Sequence, residues 1–332
     1  MKLLMYGVQD HEKKIIADWA ESHKVDIVTT PDFLSEQTVA RAKSFDGICI
    51  QQPIALGGPK LYAQLKDYGI RQIATRTAGY DMIDLAEAEN NGLIVTNVPA
   101  YSPYAVAELA VTQAMQLVRH IPQFQKRISN QDFRWSGLLS KEIRSLTVGI
   151  VGTGRIGATA AELFKGLGAK VIGFDQYPND RVKSILDYRP SLEAVLKEAD
   201  IVSLHTPLFD STRHMINKNT LKLMKKSAFL INIARGGLIN TEDLIDALET
   251  GEIAGAALDT FENETVINKN LSGQPLDDPL LAKLIAMDQV LLTPHVGFFT
   301  ETAIQNIDEG ALDCVVEVLE TGTSRNRVQQ PE

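Results

Sequence analysis

The sequence predicts an α/β protein of two parallel-sheet domains, one inserted into the chain of the other. Three observations carry this expectation. Short apolar runs alternate with amphipathic stretches twice over, a glycine-rich loop lies near residue 152 rather than at the start, and 332 residues are enough for two cores. The first series of runs covers 2–8, 25–30, 46–50, 71–75 and 93–96, with helical patterns between them. Strands separated by helices pair in parallel, because a parallel neighbour needs a crossover connection. These runs also lack the polar alternation of a sheet with one wet face.

Ser102 followed by Pro103 marks a helix start, a capping residue and then proline at the first helical position. It opens an apolar helix expected over 104–120. A second series of runs follows at 146–151, 169–174, 200–204, 228–232, 255–258 and 289–293, and six such strands match a complete Rossmann unit. A last helix is expected over 301–319, followed by a frayed polar tail at 324–332. The expected domains are therefore 1–101 with 296–332, and 102–295. The stretch 263–278 carries no assignable pattern.

Composition narrows the function. A hydrophobic share of 44% with 23% charged residues is ordinary for a globular protein. The only cysteines, Cys49 and Cys314, are far apart, which fits a reducing, cytoplasmic setting without disulfides. No apolar stretch is long enough to cross a bilayer, so no membrane partner is expected. A net charge of -9 with scattered basic residues argues against nucleic acid. The six histidines show no metal-binding spacing, so no metal is expected.

The loop Gly152-Thr153-Gly154-Arg155-Ile156-Gly157 follows an apolar run and opens a helical one. Its first glycine permits a tight turn, its second lets a pyrophosphate approach the backbone, and its third lets helix pack on strand; the free N–H groups at the helix start then bind phosphate. Asp175 ends the next strand about twenty residues on, where a carboxylate accepts hydrogen bonds from the adenosine ribose. The same charge repels a 2′-phosphate. NAD is the expected cofactor, although Arg181 and Lys183 stand nearby. The late position of the loop argues against L-lactate and L-malate dehydrogenases, which begin with theirs.

Three further segments carry acid–base chemistry. Arg235, just past a buried run, offers a guanidinium fork to a carboxylate. His295, just past another, offers an imidazole at the sheet edge where open α/β folds bind ligands. Between them, Asp259, Glu262 and Glu264 supply carboxylates, and an acidic neighbour favours the imidazolium form that can donate a proton. The residues alone leave Glu262 and Glu264 as alternatives. A cation, a proton donor and its carboxylate are what reduction of a 2-keto acid requires.

These pieces resemble the D-isomer-specific 2-hydroxyacid dehydrogenase family, in its bacterial D-lactate and D-2-hydroxyisocaproate branch. The resemblance is carried by Asn97-Val98-Pro99-Ala100-Tyr101-Ser102-Pro103, the glycine loop, Leu204-His205-Thr206-Pro207-Leu208, Ala234-Arg235-Gly236, Asp259 through Glu264, and Thr293-Pro294-His295. It implies two domains of the Rossmann-like and flavodoxin-like kind, with the cofactor domain inserted into a discontinuous catalytic domain. It implies Arg235 as carboxylate anchor, His295 as acid and base, and Glu264, five residues beyond Asp259, as the partner of His295. Cofactor positions implied are Gly152, Gly154, Arg155, Ile156, Gly157, Asp175, Thr206, Pro207, Thr212, Ile233, Ala234 and Asp259. Substrate positions implied are Ile50, Ala78, Gly79, Tyr101, Arg235 and Phe299.

Ile50 stands where D-lactate members commonly place a tyrosine, which opens the alternative of a bulkier keto acid such as 2-ketoisocaproate or phenylpyruvate. A second alternative, of another class, is an NAD-sensing binding module on the same fold. The resemblance also implies a homodimer, and the apolar helix with Ala107, Leu109, Val111 and Leu117 offers surface for one.

Overall fold

The computed structural model describes residues 1–267 and 269–329. The chain divides into two compact units, Met1–Ser102 with Phe299–Glu332, and Pro103–Phe298. The first is built on a parallel sheet of β1 (Lys2–Tyr6), β2 (Asp26–Thr30), β3 (Gly47–Ile50), β4 (Gln72–Thr75) and β5 (Ile94–Thr96), in the order β2-β1-β3-β4-β5. This is the flavodoxin-like order. Successive side chains face opposite sides: Leu4, Tyr6, Ile48 and Ile50 enter one core, and Leu3, Met5 and Cys49 the other. That double burial is why these runs lack polar alternation. Helix α1 (Lys13–His23) adds Ile16 and Trp19 to the second core and α2 (Pro59–Asp67) adds Leu61 and Leu65 to the first. The short α3 (Leu85–Asn90) is capped by Asp84, whose side chain accepts from the Glu87 N–H at 3.0 Å.

The second unit holds a seven-stranded parallel sheet of β6 (Thr147–Val151), β7 (Lys170–Phe174), β8 (Asp187–Tyr188), β9 (Ile201–Leu204), β10 (Phe229–Asn232), β11 (Gly255–Leu258) and β12 (Val290–Leu292). Its order is β12-β11-β10-β9-β6-β7-β8. This is the doubly wound nucleotide-binding order with a strand added at one edge. Its topological switch falls where β6 lies between β7 and β9, opening a crevice at the carboxyl ends of the strands. The sequence shows six of these strands. The seventh, β8, has two residues and is too short to leave a period. Around the sheet run α4 (Pro103–Val118), α5 (Ile121–Ser129), α6 (Arg155–Gly166), α7 (Leu192–Glu198), α8 (Lys218–Leu221), α9 (Thr241–Glu249) and α10 (Pro279–Ala286), with α4 packed on α6. Asp278 caps α10 by accepting from the Leu280 and Leu281 amides at 3.0 Å, ahead of Pro279 in the first turn. Asp278 also accepts from Asn263 at 3.1 Å, which ties down part of the stretch the sequence left unassigned; Asn268 in that stretch lies outside the described residues.

The last helix, α11 (Glu301–Thr321), returns to the first unit and buries Ala311, Leu312 and Val315 beside β1 and β3. Thr300 caps its start, and Gly322 at φ 79° ends it in the left-handed conformation. The expected frayed tail is a correction. Ser324 is buried and donates to Glu317 at 2.6 Å, and the Val328 N–H donates to the Val95 carbonyl at 2.8 Å. An open backbone edge at β5 gives this segment partners that its polar composition conceals. Residues 330–332 of that tail lie outside the described residues.

A buried charged triad lies within the first unit. The Arg76 guanidinium donates to Glu12, to Asp308 at 2.8 Å and to the Tyr6 carbonyl at 3.0 Å, and all three charged side chains are essentially inaccessible. Two carboxylates against one cation leave an excess negative charge unless one carboxyl keeps its proton. Burial, reinforced by Glu12 and opposed by Arg76, pushes Asp308 up from 3.8 to about 7. Between about pH 4 and pH 7 the folded chain therefore keeps a proton that the unfolded chain has already released. The native state binds more protons in that window, so stability falls as pH rises through it and levels off above. Asp308→Asn keeps the acceptor toward Arg76 and removes the titration. Its melting temperature, measured from pH 5 to 8, is expected to decline less with rising pH than that of the unmodified protein.

Candidate active site

The glycine loop sits at the switch point, between the end of β6 and the start of α6. Gly152 adopts φ +90°, and a Cβ there would lie 2.8 Å from the His205 carbonyl carbon and oxygen. A Cβ on Gly157 would lie 1.9 Å from the Gly152 carbonyl oxygen, so helix and loop approach at a distance only glycine allows. Around Gly154, by contrast, the space is open. The exposed amino end of α6, with Gly154 and Arg155 at its tip, is thus left clear for a pyrophosphate. Ile156 is half-buried behind it.

Asp175 follows the end of β7. One of its oxygens accepts from the Thr153 N–H at 2.6 Å and the Thr153 hydroxyl at 3.1 Å, and the other from the Tyr177 N–H at 2.9 Å. Tyr188 holds the Thr153 hydroxyl at 2.7 Å. The carboxylate is therefore fixed beside the glycine loop, where a ribose diol is expected. Neighbouring strand ends supply the other implied cofactor positions. Thr212 closes the loop after β9 by donating to the Pro207 carbonyl at 2.8 Å, and Thr206 faces the Met215 sulfur. Ile233 is buried and Ala234 half-buried after β10. These groups fit NAD.

The strands β10, β11 and β12 are adjacent and in register, with Asn232, Leu258 and Leu292 opposite one another. Arg235, Asp259 and His295 follow those three residues by three, one and three positions. They therefore leave the same edge of the sheet, Arg235 and His295 from strands about 10 Å apart by the usual spacing. The Asn232 amide accepts from the Ala234 N–H at 3.1 Å and donates to the Arg235 carbonyl at 2.9 Å, which shapes the turn carrying the guanidinium. The Arg235 guanidinium also donates to the Ala234 carbonyl at 2.8 Å.

His295 Nδ1 meets a Glu264 carboxylate oxygen at 2.8 Å. Glu262 is committed elsewhere: it meets His214 Nε2 at 2.6 Å and accepts from the Thr241 hydroxyl at 2.6 Å. Burial alone would raise the Glu262 carboxyl, but the bonds from Thr241 and His214 outweigh it and hold it below the usual carboxylate range. His214 is thereby paired with Glu262. Burial pushes the His205 imidazole down to about 3, so it stays neutral and cannot act as a donating imidazolium.

In the first unit, Asn97 donates to the Ala78 carbonyl at 2.6 Å and the Thr77 hydroxyl to the Gly79 carbonyl at 2.5 Å. With those carbonyls engaged, the Ala78 and Gly79 N–H groups remain without a hydrogen-bond partner among the described residues. Phe299 is exposed and stands edge-on to His11, with ring centroids 5.0 Å apart. The Tyr101 carbonyl accepts from Asn306 at 2.6 Å. Ile50 is the correction here: it is wholly buried among Leu4, Tyr6, Ile48 and Ile73 rather than lining an open wall. At the end of β3 its side chain points into the sheet face covered by α2, an orientation that position in the sequence does not reveal.

Near His295, the sequence reading named Thr293 without giving it a role and did not single out Gln113. Thr293 donates to Asp259 at 2.5 Å and accepts from Gln113 of α4 at 2.8 Å. Gln113 left one weak signal, a polar residue on the buried stripe of an apolar helix. Among the described residues no group of three or more His, Cys, Asp or Glu is placed to hold a metal, and no helix is long and apolar enough to cross a membrane.

Residues 111–297 match the family described as D-isomer specific 2-hydroxyacid dehydrogenase, NAD binding domain. The chain belongs to that family. A D-2-hydroxyacid dehydrogenase (NAD(+)) of Clostridioides difficile is 54% identical over 331 residues, 99% of this chain and 100% of that protein. The solved D-lactate dehydrogenase from Sporolactobacillus sp is 47% identical with a TM-score of 0.86, covering 100% of both chains. The NAD-complexed D-isomer specific 2-hydroxyacid dehydrogenase from Lactobacillus delbrueckii ssp. bulgaricus is 42% identical, with a TM-score of 0.87 over 99% of this chain and 100% of that one. As a family member this chain is an NAD-dependent enzyme, and its crevice residues agree with that cofactor.

Proposed function

We propose that this dehydrogenase reversibly reduces pyruvate and related 2-keto acids to D-2-hydroxy acids, that is, acts as a D-lactate dehydrogenase. The observation that carries the reading is the His295–Glu264 pair on the sheet edge that also bears Arg235. NADH, when bound, supplies the hydride. Arg235 binds and orients the substrate carboxylate through its guanidinium. His295 delivers a proton to the ketone oxygen from Nε2, while Glu264 on Nδ1 holds the ring in place. By the same resemblance Ala78 and Gly79, whose amides have no hydrogen-bond partner among the described residues, are substrate positions of the first unit. On this reading 102–295 is the cofactor domain, and 1–101 with 296–332 the substrate domain. A purely NAD-sensing role leaves the paired acid and base without a task.

A second reading, preference for bulkier keto acids, was opened by isoleucine rather than a phenol at position 50, but with the Ile50 side chain wholly buried in the core it has the weaker support. Specificity constants for pyruvate, 2-ketoisocaproate and phenylpyruvate, each with NADH and with NADPH, test both readings. The D-lactate reading expects pyruvate with NADH to lead. A lead for either larger acid would replace it with the second reading, and absence of turnover with NADH still bound would favour the sensor.

We further propose a cytoplasmic homodimer. Its support is an exposed apolar face in the second unit: Phe133, Trp135 and Leu139 are 74%, 81% and 95% accessible, and a groove lined by Val111, Met115, Ile121 and Leu167 lies in the same unit. Exposed aromatic and aliphatic side chains in one segment are the mark of an interface.

A further inference from the structure

The backbone of His295 lies at φ 55°, in the left-handed region that side-chain-bearing residues rarely adopt. Such a conformation persists only where the surroundings enforce it. Here Asp259 contributes most of the contacts, with the Thr293 carbonyl also accepting from the His295 N–H at 3.0 Å. The Asp259 carbonyl accepts from the His295 N–H at 2.8 Å, and its two carboxylate oxygens accept from the Val296 and Gly297 N–H groups, each at 2.9 Å. Three consecutive amides of the turn thus converge on a single buried aspartate.

That carboxylate needs support of its own, because a buried negative charge is held by the donors around it. The side-chain donor it has is the Thr293 hydroxyl. A hydroxyl carries one hydrogen, and Thr293 commits it to Asp259, so toward Gln113 it can only accept. The direction of the relay is therefore fixed, from the Gln113 amide to the Thr293 hydroxyl to the Asp259 carboxylate. Gln113 is fully buried on α4, and its side-chain oxygen has no partner among the described residues. An apolar residue would avoid that unmet acceptor, so the Gln113 side chain is retained at a cost, and the bond it makes goes to Thr293.

We infer that Gln113 and Thr293 are positioning residues for proton transfer: through Asp259 they hold the His295 turn so that the imidazole is aimed while Glu264 sets its rotation. The inference rests on the reading of His295 as the acid. Without the Thr293 hydroxyl, the Asp259 oxygen that it serves keeps only the Val296 amide, and the turn relaxes toward ordinary backbone angles. The ring then loses alignment with both Glu264 and substrate.

Thr293→Val removes the hydroxyl at nearly constant volume, Thr293→Ser restores it, and Gln113→Met removes the amide at similar length. The quantities to measure are kcat and KM for the keto acid, the pH–rate profile of reduction, and NADH Kd by fluorescence. Thr293→Val is expected to lower kcat about 10- to 100-fold, to change the pH–rate profile of reduction, and to leave NADH Kd within about twofold. Thr293→Ser should recover most of the loss, and Gln113→Met should show a smaller decrease in the same direction. Thr293→Val with wild-type kcat and pH profile, while His295→Asn is inactive, would overturn the relay. Thr293→Val and Thr293→Ser that lose kcat equally would also overturn it, since the hydroxyl would then be irrelevant. Full turnover by His295→Asn is a separate failure, because it removes the acid on which the relay acts.

Discussion

His295→Asn is expected to lower keto-acid turnover by about two to four orders of magnitude, the usual contribution of a positioned general acid. Asparagine is the informative replacement because it tolerates the left-handed backbone at this position, whereas alanine would add strain to the loss of the imidazole. The Asp259 carbonyl still receives the residue 295 amide, so the turn should survive. The proposed NADH contacts at the glycine loop and Asp175 are untouched, so NADH binding should stay near wild type. Steady-state kinetics beside fluorescence titration of NADH separates the two. A variant that binds NADH and turns over at the wild-type rate would remove histidine from the mechanism.

Arg235→Gln is expected to cost as much or more, in a different parameter. A guanidinium can give a substrate carboxylate two charge-assisted hydrogen bonds, each contributing about 1.5–3 kcal/mol. Their loss lowers kcat/KM by roughly two to four orders of magnitude. Arg235→Lys keeps the charge without the fork and should fall between. The comparison to make is kcat/KM for pyruvate across the three proteins. If glutamine and lysine at 235 both leave it unchanged, the carboxylate is held elsewhere.

Much of this arrangement was legible in the sequence because the strands are buried on both faces. The runs ending at Ile50, Thr75, Val151, Leu204 and Leu258 stop where their strands stop. Each functional segment begins within a few residues of such an end, so the edge that carries the chemistry could be located without coordinates. What sequence could not supply was direction and partnership. Ile50 ends a strand correctly assigned, yet its side chain enters the core. Glu262 and Glu264 sit two residues apart in one loop, and only the positions of His214 and Thr241 separate them. Gln113 lies 180 residues from Thr293, and no local pattern links a helix residue to a partner that distant. The tail after α11 looks disordered by composition, because its polar residues do not record that the edge of β5 needs hydrogen-bond partners.

The account turns on a guanidinium and an imidazolium serving the same substrate beside NADH, with one face of the ketone presented. Reduction of pyruvate by NADH, followed by chiral separation of the product, tests this most directly. The account predicts NADH-dependent formation of D-lactate alone. L-lactate as the product would contradict it.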